Sequence, residues 1–336
     1  MEFPDLNRGT ISPVFYSSIA LGKILFEIIF LGTSASAPSI RRGLSAQIVK
    51  HDEYRFLVDC GEGTQRQILQ SGMGFKRLTR VLLTHGHLDH ILGLAGLLST
   101  LTRWEALDEF EIFASKRTLE RVHNLLYGVV WPHKKPPAKL YLREVEPGVI
   151  FEAKDFTVSA FQVSHRGPGC FGYKFEEKSH RPFLADKADS LGVPFGPVRR
   201  DLVKGESITL ENGTCIAPDD VLGPLLEGTS LAITGDTGKT NNLLEVCRGL
   251  DTLVIESTYI DEDAQMARKF GHLTARQAAE LAKQAGVKRL ILTHLSRRYR
   301  ERDVIREARA IFPNSYVARD FDTYTIKREE KEQGDQ

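Results

Sequence analysis

The chain has 336 residues, of which 41% are hydrophobic and 26% charged. That is the balance of an ordinary globular protein with room for one large domain or two small ones. A formal charge of +1 excludes a global field that draws in nucleic acid, so any polyanion must be met by a local patch. Four scattered cysteines with no CxxC pair exclude a disulfide framework or a Cys-type zinc site and point to a reducing compartment.

In chain order, residues 1–23 read as an extension whose role the residues do not disclose. It has no basic opening, carries Pro4 and Pro13, and its apolar patch at 14–21 is broken by serines, so no secretory signal is expected. No run approaches the ~18 apolar residues of a membrane helix, and a cytoplasmic protein is the expectation. Residues 24–31 (ILFEIIFL) form a β-branched and aromatic run that predicts a buried strand. A small-residue loop follows at 32–38, then a hairpin over 46–50 and 55–59, a loop at 60–64 and helical spacing over 65–69.

Residues 81–83 predict another buried strand, and 91–98 a buried helix. Between them lies Thr84-His85-Gly86-His87-Leu88-Asp89-His90, three histidines and an aspartate within six positions. His85 and His87, two apart in extended chain, send both rings to one side, while Asp89 and His90 fall at the helix start and can face a second ion. Imidazole nitrogen and carboxylate oxygen are the usual ligands of zinc and its neighbours. A histidine-rich surface turn is the competing reading, and the two flanking apolar elements weigh against it.

Farther on, 118–130 is amphipathic and 131–137 is a proline-rich connector. Residues 156–163 alternate as a half-buried strand does and deliver His165. From 176 to 220 glycine, proline and basic residues become dense. Order returns at 230–233, which runs into Thr234-Gly235-Asp236. Strands at 252–256 and 289–293 flank a helix at 274–285, N-capped by Thr274, and the second of them ends at His294. The polar residues 327–336 predict a frayed tail. Ligands gather at strand ends in α/β architectures, so His165, Asp236 and His294 can join the earlier four. Seven donors suit two ions with positions left for water, whereas one structural zinc needs four. Singly, His165 and His294 are unremarkable, and Asp236 is a turn residue or a cap. His272 reads either as a solvated loop residue or as an acid near the site. Asp59 either orients a metal-bound histidine or serves a turn.

His85-x-His87-x-Asp89-His90 is similar to the signature of the metallo-β-lactamase superfamily. From about 28 to 321 the chain more closely resembles the ribonuclease Z family in its short form. The resemblance runs through Phe30-Leu31-Gly32-Thr33, Asp59-Cys60-Gly61-Glu62-Gly63, Gly235-Asp236-Thr237, Gly271-His272-Leu273-Thr274-Ala275 and Leu292-Thr293-His294. The histidine motif alone names only the fold. Leu191-Gly192-Val193-Pro194-Phe195-Gly196-Pro197, with Arg199 to Glu206 after it, looks like the arm that this family projects to grip tRNA. Leu88 stands where glycine is usual. Arg166-Gly167-Pro168-Gly169 also departs from the family pattern and could reshape the pocket rim.

The resemblance implies an α/β fold, an αββα sandwich over 24–326 with a Gly/Pro-rich arm inserted at about 176–220. It implies a zinc-dependent endoribonuclease that removes the 3′ trailer from precursor tRNA, leaving a tRNA 3′-hydroxyl and a 5′-phosphate on the trailer, and that also hydrolyses small phosphodiesters. Two Zn2+ per subunit, or Mn2+ or another divalent ion in their place, are implied. One would sit on His85, His87 and His165 and the other on Asp89, His90 and His294, with Asp236 between them. Asp89 would also take the proton of the attacking water. His272, oriented by Glu256, would give a proton to the leaving oxygen. Arg297, Arg298 and Tyr299 would clamp phosphates; Lys187, Gly196, Pro197, Arg199, Arg200 and Lys204 would meet the tRNA by shape and backbone. A homodimer with no membrane and no nucleotide cofactor completes the expectation. Two rivals stand beside it. A small-molecule phosphodiesterase or other hydrolase of the superfamily shares the ligands and lacks the arm, and a non-catalytic metal module docks RNA or protein without turnover.

Overall fold

The computed structural model describes residues 24–103, 108–132, 136 and 138–327. The expectations for 1–23, for the tail beyond Lys327 and for part of the 131–137 connector fall outside these residues. In chain order the strands are β1 (Ile24–Gly32), β2 (Ala46–His51), β3 (Tyr54–Val58), β4 (Arg80–Leu82), β5 (Glu109–Ala114), β6 (Lys139–Glu144), β7 (Gly148–Glu152), β8 (Phe156–Gln162) and β9 (Phe171–Glu177). After them come β10 (Ile208–Thr209), β11 (Cys215–Ile216), β12 (Ser230–Ile233), β13 (Thr252–Glu256), β14 (Arg289–Thr293), β15 (Ser315–Val317) and β16 (Thr323–Lys327). One sheet has the order β16-β1-β2-β3-β4-β5-β6 and the other β15-β14-β13-β12-β9-β8-β7. Both are mixed sheets, antiparallel in one half and parallel in the other.

Apolar patterning explains the layering. In β1, Phe26, Ile28 and Phe30 join Phe56, Phe156, Phe175 and Tyr173 in a core between the two sheets. Ile29 and Leu31 point the other way, to a core that the helix Gly93–Arg103 covers. Burial on both faces is why β1 reads as a continuous apolar run rather than an alternating one. The second sheet is covered in the same way by the helix Ala275–Ala285, whose Thr274 cap forms a reciprocal box with Gln277. The result is helix, sheet, sheet, helix.

Direction of the strands sets the site. β8 and β12 both run antiparallel to β9, and β12, β13 and β14 are mutually parallel. Their C-terminal ends therefore share one edge, where loops from parallel β3 and β4 also emerge. Between β9 and β12 the chain leaves the sandwich and builds a small body of its own. Ala188, Val193, Leu202, Ile216 and Val221 form its core, with Phe183, Ile208 and Leu210 packed against it. Its neck is a backbone bridge between His180 and Leu226.

Candidate metal centre

β4 ends at Leu82, and extended chain carries His85 and His87 to the edge before a short helix, Leu88–Ile91. The four-residue helix turns Asp89 and His90 toward the same point and leaves Leu88 exposed, so the missing glycine costs nothing there. β8 delivers His165, β12 delivers Asp236, and β14 delivers His294 in a left-handed backbone conformation. Gly235 is also left-handed (φ 63°), and a Cβ there would lie 2.6 Å from the Thr84 side chain. Glycine is what lets Asp236 close over the β4 loop.

The seven side chains converge from both sheets. His85, His87, His165 and Asp236 present donor atoms within 4.8 Å of one another, as do Asp89, His90 and His294. Asp236 lies between the two sets: its Oδ2 is 3.7 Å from His85 Nε2, 3.9 Å from His165 Nε2 and 3.4 Å from His90 Nε2, and its Oδ1 is 3.4 Å from His294 Nε2. Asp89 Oδ2 is 3.5 Å from His294 Nε2 and accepts the Ser36 amide at 3.0 Å.

Hydrogen bonds behind the rings settle which nitrogen faces inward. Asp59, in a left-handed turn that aspartate tolerates, accepts His90 Nδ1–H at 2.7 Å and the Thr84 amide at 2.8 Å. Thr84 gives its hydroxyl proton to Asp59 and so accepts from His85 Nδ1 at 3.1 Å. His165 Nδ1 donates to Gly271 O at 2.7 Å. Thr258 gives its proton to Glu256 Oε2 at 2.6 Å and accepts from His294 Nδ1 at 3.0 Å. In each of these four rings the Nε2 lone pair is turned to the centre. Sequence reasoning assigned nothing to Thr84, Thr258 or the Gly271 carbonyl. Threonines are too common for their spacing to have marked them.

Three observations fit divalent cations. His90 Nε2, His294 Nε2 and Asp236 Oδ1 are buried without any hydrogen-bond partner, a costly state for polar atoms unless something charged satisfies them. His85 Nε2 lies 2.8 Å and His165 Nε2 3.4 Å from His87 Nδ1, so three ring nitrogens gather at one point. Burial, with the neighbouring imidazoles, holds His85 well below its ordinary pKa, pushes His87 down to about 4 and lowers His165. Those rings are neutral, as ligation requires. Burial also opposes a charge on His90, but Asp236 and Asp59 outweigh it and hold the ring well above its usual range. Replacing Asp59 with alanine is expected to weaken metal affinity about 10–100-fold, read by competition against a chelator. Unchanged affinity would reduce Asp59 to a turn residue.

Glu256, wholly buried at the end of β13, ties the opposite wall together. Its carboxylate accepts His272 Nδ1 at 2.8 Å, the Thr237 amide at 2.9 Å, the Thr258 hydroxyl and the Leu273 amide at 3.2 Å. Burial disfavours the imidazolium of His272, but the charge and hydrogen bond of Glu256 prevail and raise its pKa to about 9. His272 also stands beside Asp236 and His294, with its Nδ1 engaged by Glu256.

The remaining expected contacts divide. Arg297 and Arg298 are exposed beyond His294, whereas Tyr299 donates its hydroxyl to Asp263. On the arm, Lys187, Arg200 and Lys204 are exposed. Arg199 is committed to the arm's own structure: it pairs with Asp189, donates to Val193 O at 2.8 Å, and lies over Phe183 and Phe195. Gly196 adopts φ 133°, and Pro197 opens the helix Pro197–Val203.

Comparison with known proteins places the chain. The family model described as "Anti-Pycsar protein Apyc1" matches residues 26–186 and that described as "Beta-lactamase superfamily domain" matches 202–295. The ribonuclease Z of Bradyrhizobium diazoefficiens is 45% identical over 302 residues, covering 90% of this chain and 100% of that protein. This chain belongs to the ribonuclease Z family. The ribonuclease Z of Bacillus velezensis is 38% identical over 310 residues, covering 90% of this chain and 99% of the relative. The crystal structure of human tRNase Z, short form, has a TM-score of 0.63 at 24% identity and covers 89% of this chain and 99% of its own. That likeness speaks for the fold, the metallo-β-lactamase sandwich built here around ribonuclease Z sequence. Among the described residues no helix is long and apolar enough to cross a membrane.

Proposed function

We propose that this chain is the endoribonuclease that removes the 3′ trailer from precursor tRNA, leaving a tRNA 3′-hydroxyl and a 5′-phosphate on the trailer. The observation that carries it is the meeting of seven nitrogen and oxygen donors from both sheets, in a chain whose full-length relatives are ribonuclease Z. Two divalent cations, zinc or a substitute such as manganese, would be held by His85, His87 and His165 on one side and Asp89, His90 and His294 on the other, with Asp236 shared. Such ions supply Lewis acidity toward the phosphoryl oxygens and make water acidic enough to ionise near neutrality.

The chain's own groups manage the protons. Asp89, its Oδ2 fixed by the Ser36 amide, takes the proton of the attacking water. His272 holds a proton on Nε2 because Nδ1 is engaged by Glu256, and it gives that proton to the departing 3′-oxygen. Buried Glu256 positions it and keeps it charged. A small-molecule phosphodiesterase shares all of this, and the arm separates the two readings. Lys187, Arg200 and Lys204 place exposed positive charge on a body that a small substrate does not need, and they offer backbone phosphate a landing without base readout. The protein acts in the cytoplasm as a homodimer, each arm serving the partner's site.

Cleavage of a trailer-bearing precursor by wild type but not by Asp89→Ala, with metal analysis of both, tests the whole reading. His272→Ala is expected to slow precursor cleavage about 10²–10⁴-fold. It should affect bis(p-nitrophenyl) phosphate far less, since nitrophenolate leaves without a proton. Equal losses on both substrates would remove His272 from the donor role. Glu256→Gln withdraws the charge that raises the pKa of His272. The ring then loses its proton at lower pH, and the alkaline fall in kcat moves to lower pH with it. An unmoved limb would assign that titration elsewhere.

A further inference from the structure

On the His85 and His87 side of the metal centre lies a cleft that the chemistry above does not use. One wall is the helix Lys116–Leu125, capped by Ser115, and the other is the loop after β8. Arg117 and Arg121 stand four residues apart and hence on one helix face, while Arg166 belongs to the loop wall and lays its guanidinium over the Phe270 ring. Among the described residues no carboxylate lines the cleft. Carbonyls rather than carboxylates hold two of the guanidiniums: Arg121 Nη1 donates to Gly86 O at 2.7 Å and Arg166 Nε to Phe270 O at 2.7 Å. Among the described residues neither is paired with a carboxylate.

Glycines bring the walls together. A Cβ on Gly167 would sit 3.1 Å from Arg117 Nη1, and one on Gly169 would sit 2.7 Å from Ser115 Oγ. The Arg166–Gly169 segment, the stretch that departs from the family pattern, therefore seats the helix against the loop. Two guanidiniums on one wall of a cleft beside the metal centre match the fork geometry of phosphate oxygens.

We propose that this cleft is a subsite for the trailer's own backbone, taking the phosphate that follows the first trailer nucleotide. The side follows from the order of the rings, and this step rests on the role of His272 given above. His272 and His165 are 5.0 Å apart, His165 and His87 again 5.0 Å, and Arg117 and Arg121 line the cleft beside His87. With the leaving 3′-oxygen at His272 and the attacking water in line behind phosphorus, the 5′-oxygen is equatorial, off that axis, and the cleft of Arg117 and Arg121 is open to the strand it carries. The strand leaving over His87 is the trailer.

The test compares a precursor whose trailer is one nucleotide ending in a 3′-hydroxyl, which lacks that phosphate, with one carrying four nucleotides. Wild type is expected to favour the longer trailer about 10–100-fold in kcat/KM, chiefly through KM, as charge-assisted bonds to one phosphate allow. Arg117→Ala should bring the ratio to near one, and Arg117→Lys should keep part of it. In metal-stripped protein the same preference appears as affinity, and the salt slope for the longer RNA falls by about 0.7 in the alanine variant. A wild type indifferent to trailer length overturns the proposal, and so does Arg117→Ala weakening both RNAs alike, which would put the phosphate on the tRNA side. If wild type cuts neither RNA, the nuclease reading fails, while the affinity comparison still decides the subsite.

Discussion

Replacing Asp236 with alanine is expected to lower trailer removal by at least about 10³-fold and to reduce bound metal to less than one ion per chain by elemental analysis. The size of the effect follows from where the carboxylate stands. Its two oxygens are 3.4–3.9 Å from four imidazole nitrogens belonging to both donor groups, so its loss weakens both positions at once. Its negative charge also has no substitute. His85, His87 and His165 are neutral, and Asp89 is the other carboxylate among the seven. Asp236→Asn keeps the shape and removes the charge, and should behave like the alanine variant if charge neutralisation of the cations is what matters. Thermal melting of both variants separates this from collapse of the β12 loop. An alanine variant that retains two ions and cuts at the wild-type rate would end the shared-ligand assignment.

What could be read from the residues depended on how locally the information was stored. The motif from His85 to His90 was legible because four ligands sit within six positions, and β12, β13 and β14 because both faces are buried and the apolar run has no gaps. β6 and β7 went unread. They are sheet edges with no fully buried position, so no periodicity marks them. β16, a polar closing strand, is specified by its pairing with β1, some three hundred residues earlier. The site shows the same division. Asp59 could be suspected from its glycine-rich turn, but its grip on His90 and Thr84 exists only once β3 and β4 lie parallel. Thr258 joins Glu256, His272 and His294 through a single hydroxyl, a role assembled from three loops. Arg117 and Arg121 sat on the polar face of an amphipathic helix, where a charge is ordinarily just solvated.

Excising the arm should produce the sharpest separation of substrates. His180 and Leu226 face each other across a two-way backbone bridge, with N–O distances of 3.1 and 2.9 Å, so residues 181–225 can be replaced by an Asn-Gly turn without stretching either strand. The apolar residues removed belong to the arm's own small core, and the three cores of the sandwich keep their residues. Precursor cleavage is expected to fall about 10²–10³-fold in kcat/KM at moderate salt, since several phosphate contacts go together, while bis(p-nitrophenyl) phosphate is turned over as before. Charge reversal gives the finer test: Lys187→Glu, Arg200→Glu and Lys204→Glu should each lower precursor affinity and flatten its salt dependence by roughly one unit of slope. Arg199→Ala should act differently. Its guanidinium braces Val193, Pro194 and the exposed Phe195 ring from within, so its loss should loosen the tip and make the arm easier to proteolyse, with little change in salt slope. If the excised protein lost small-diester turnover together with precursor cleavage, the arm would be a folding element, and the basis for choosing RNA over a small phosphodiester would have to be sought at the rim of the metal centre.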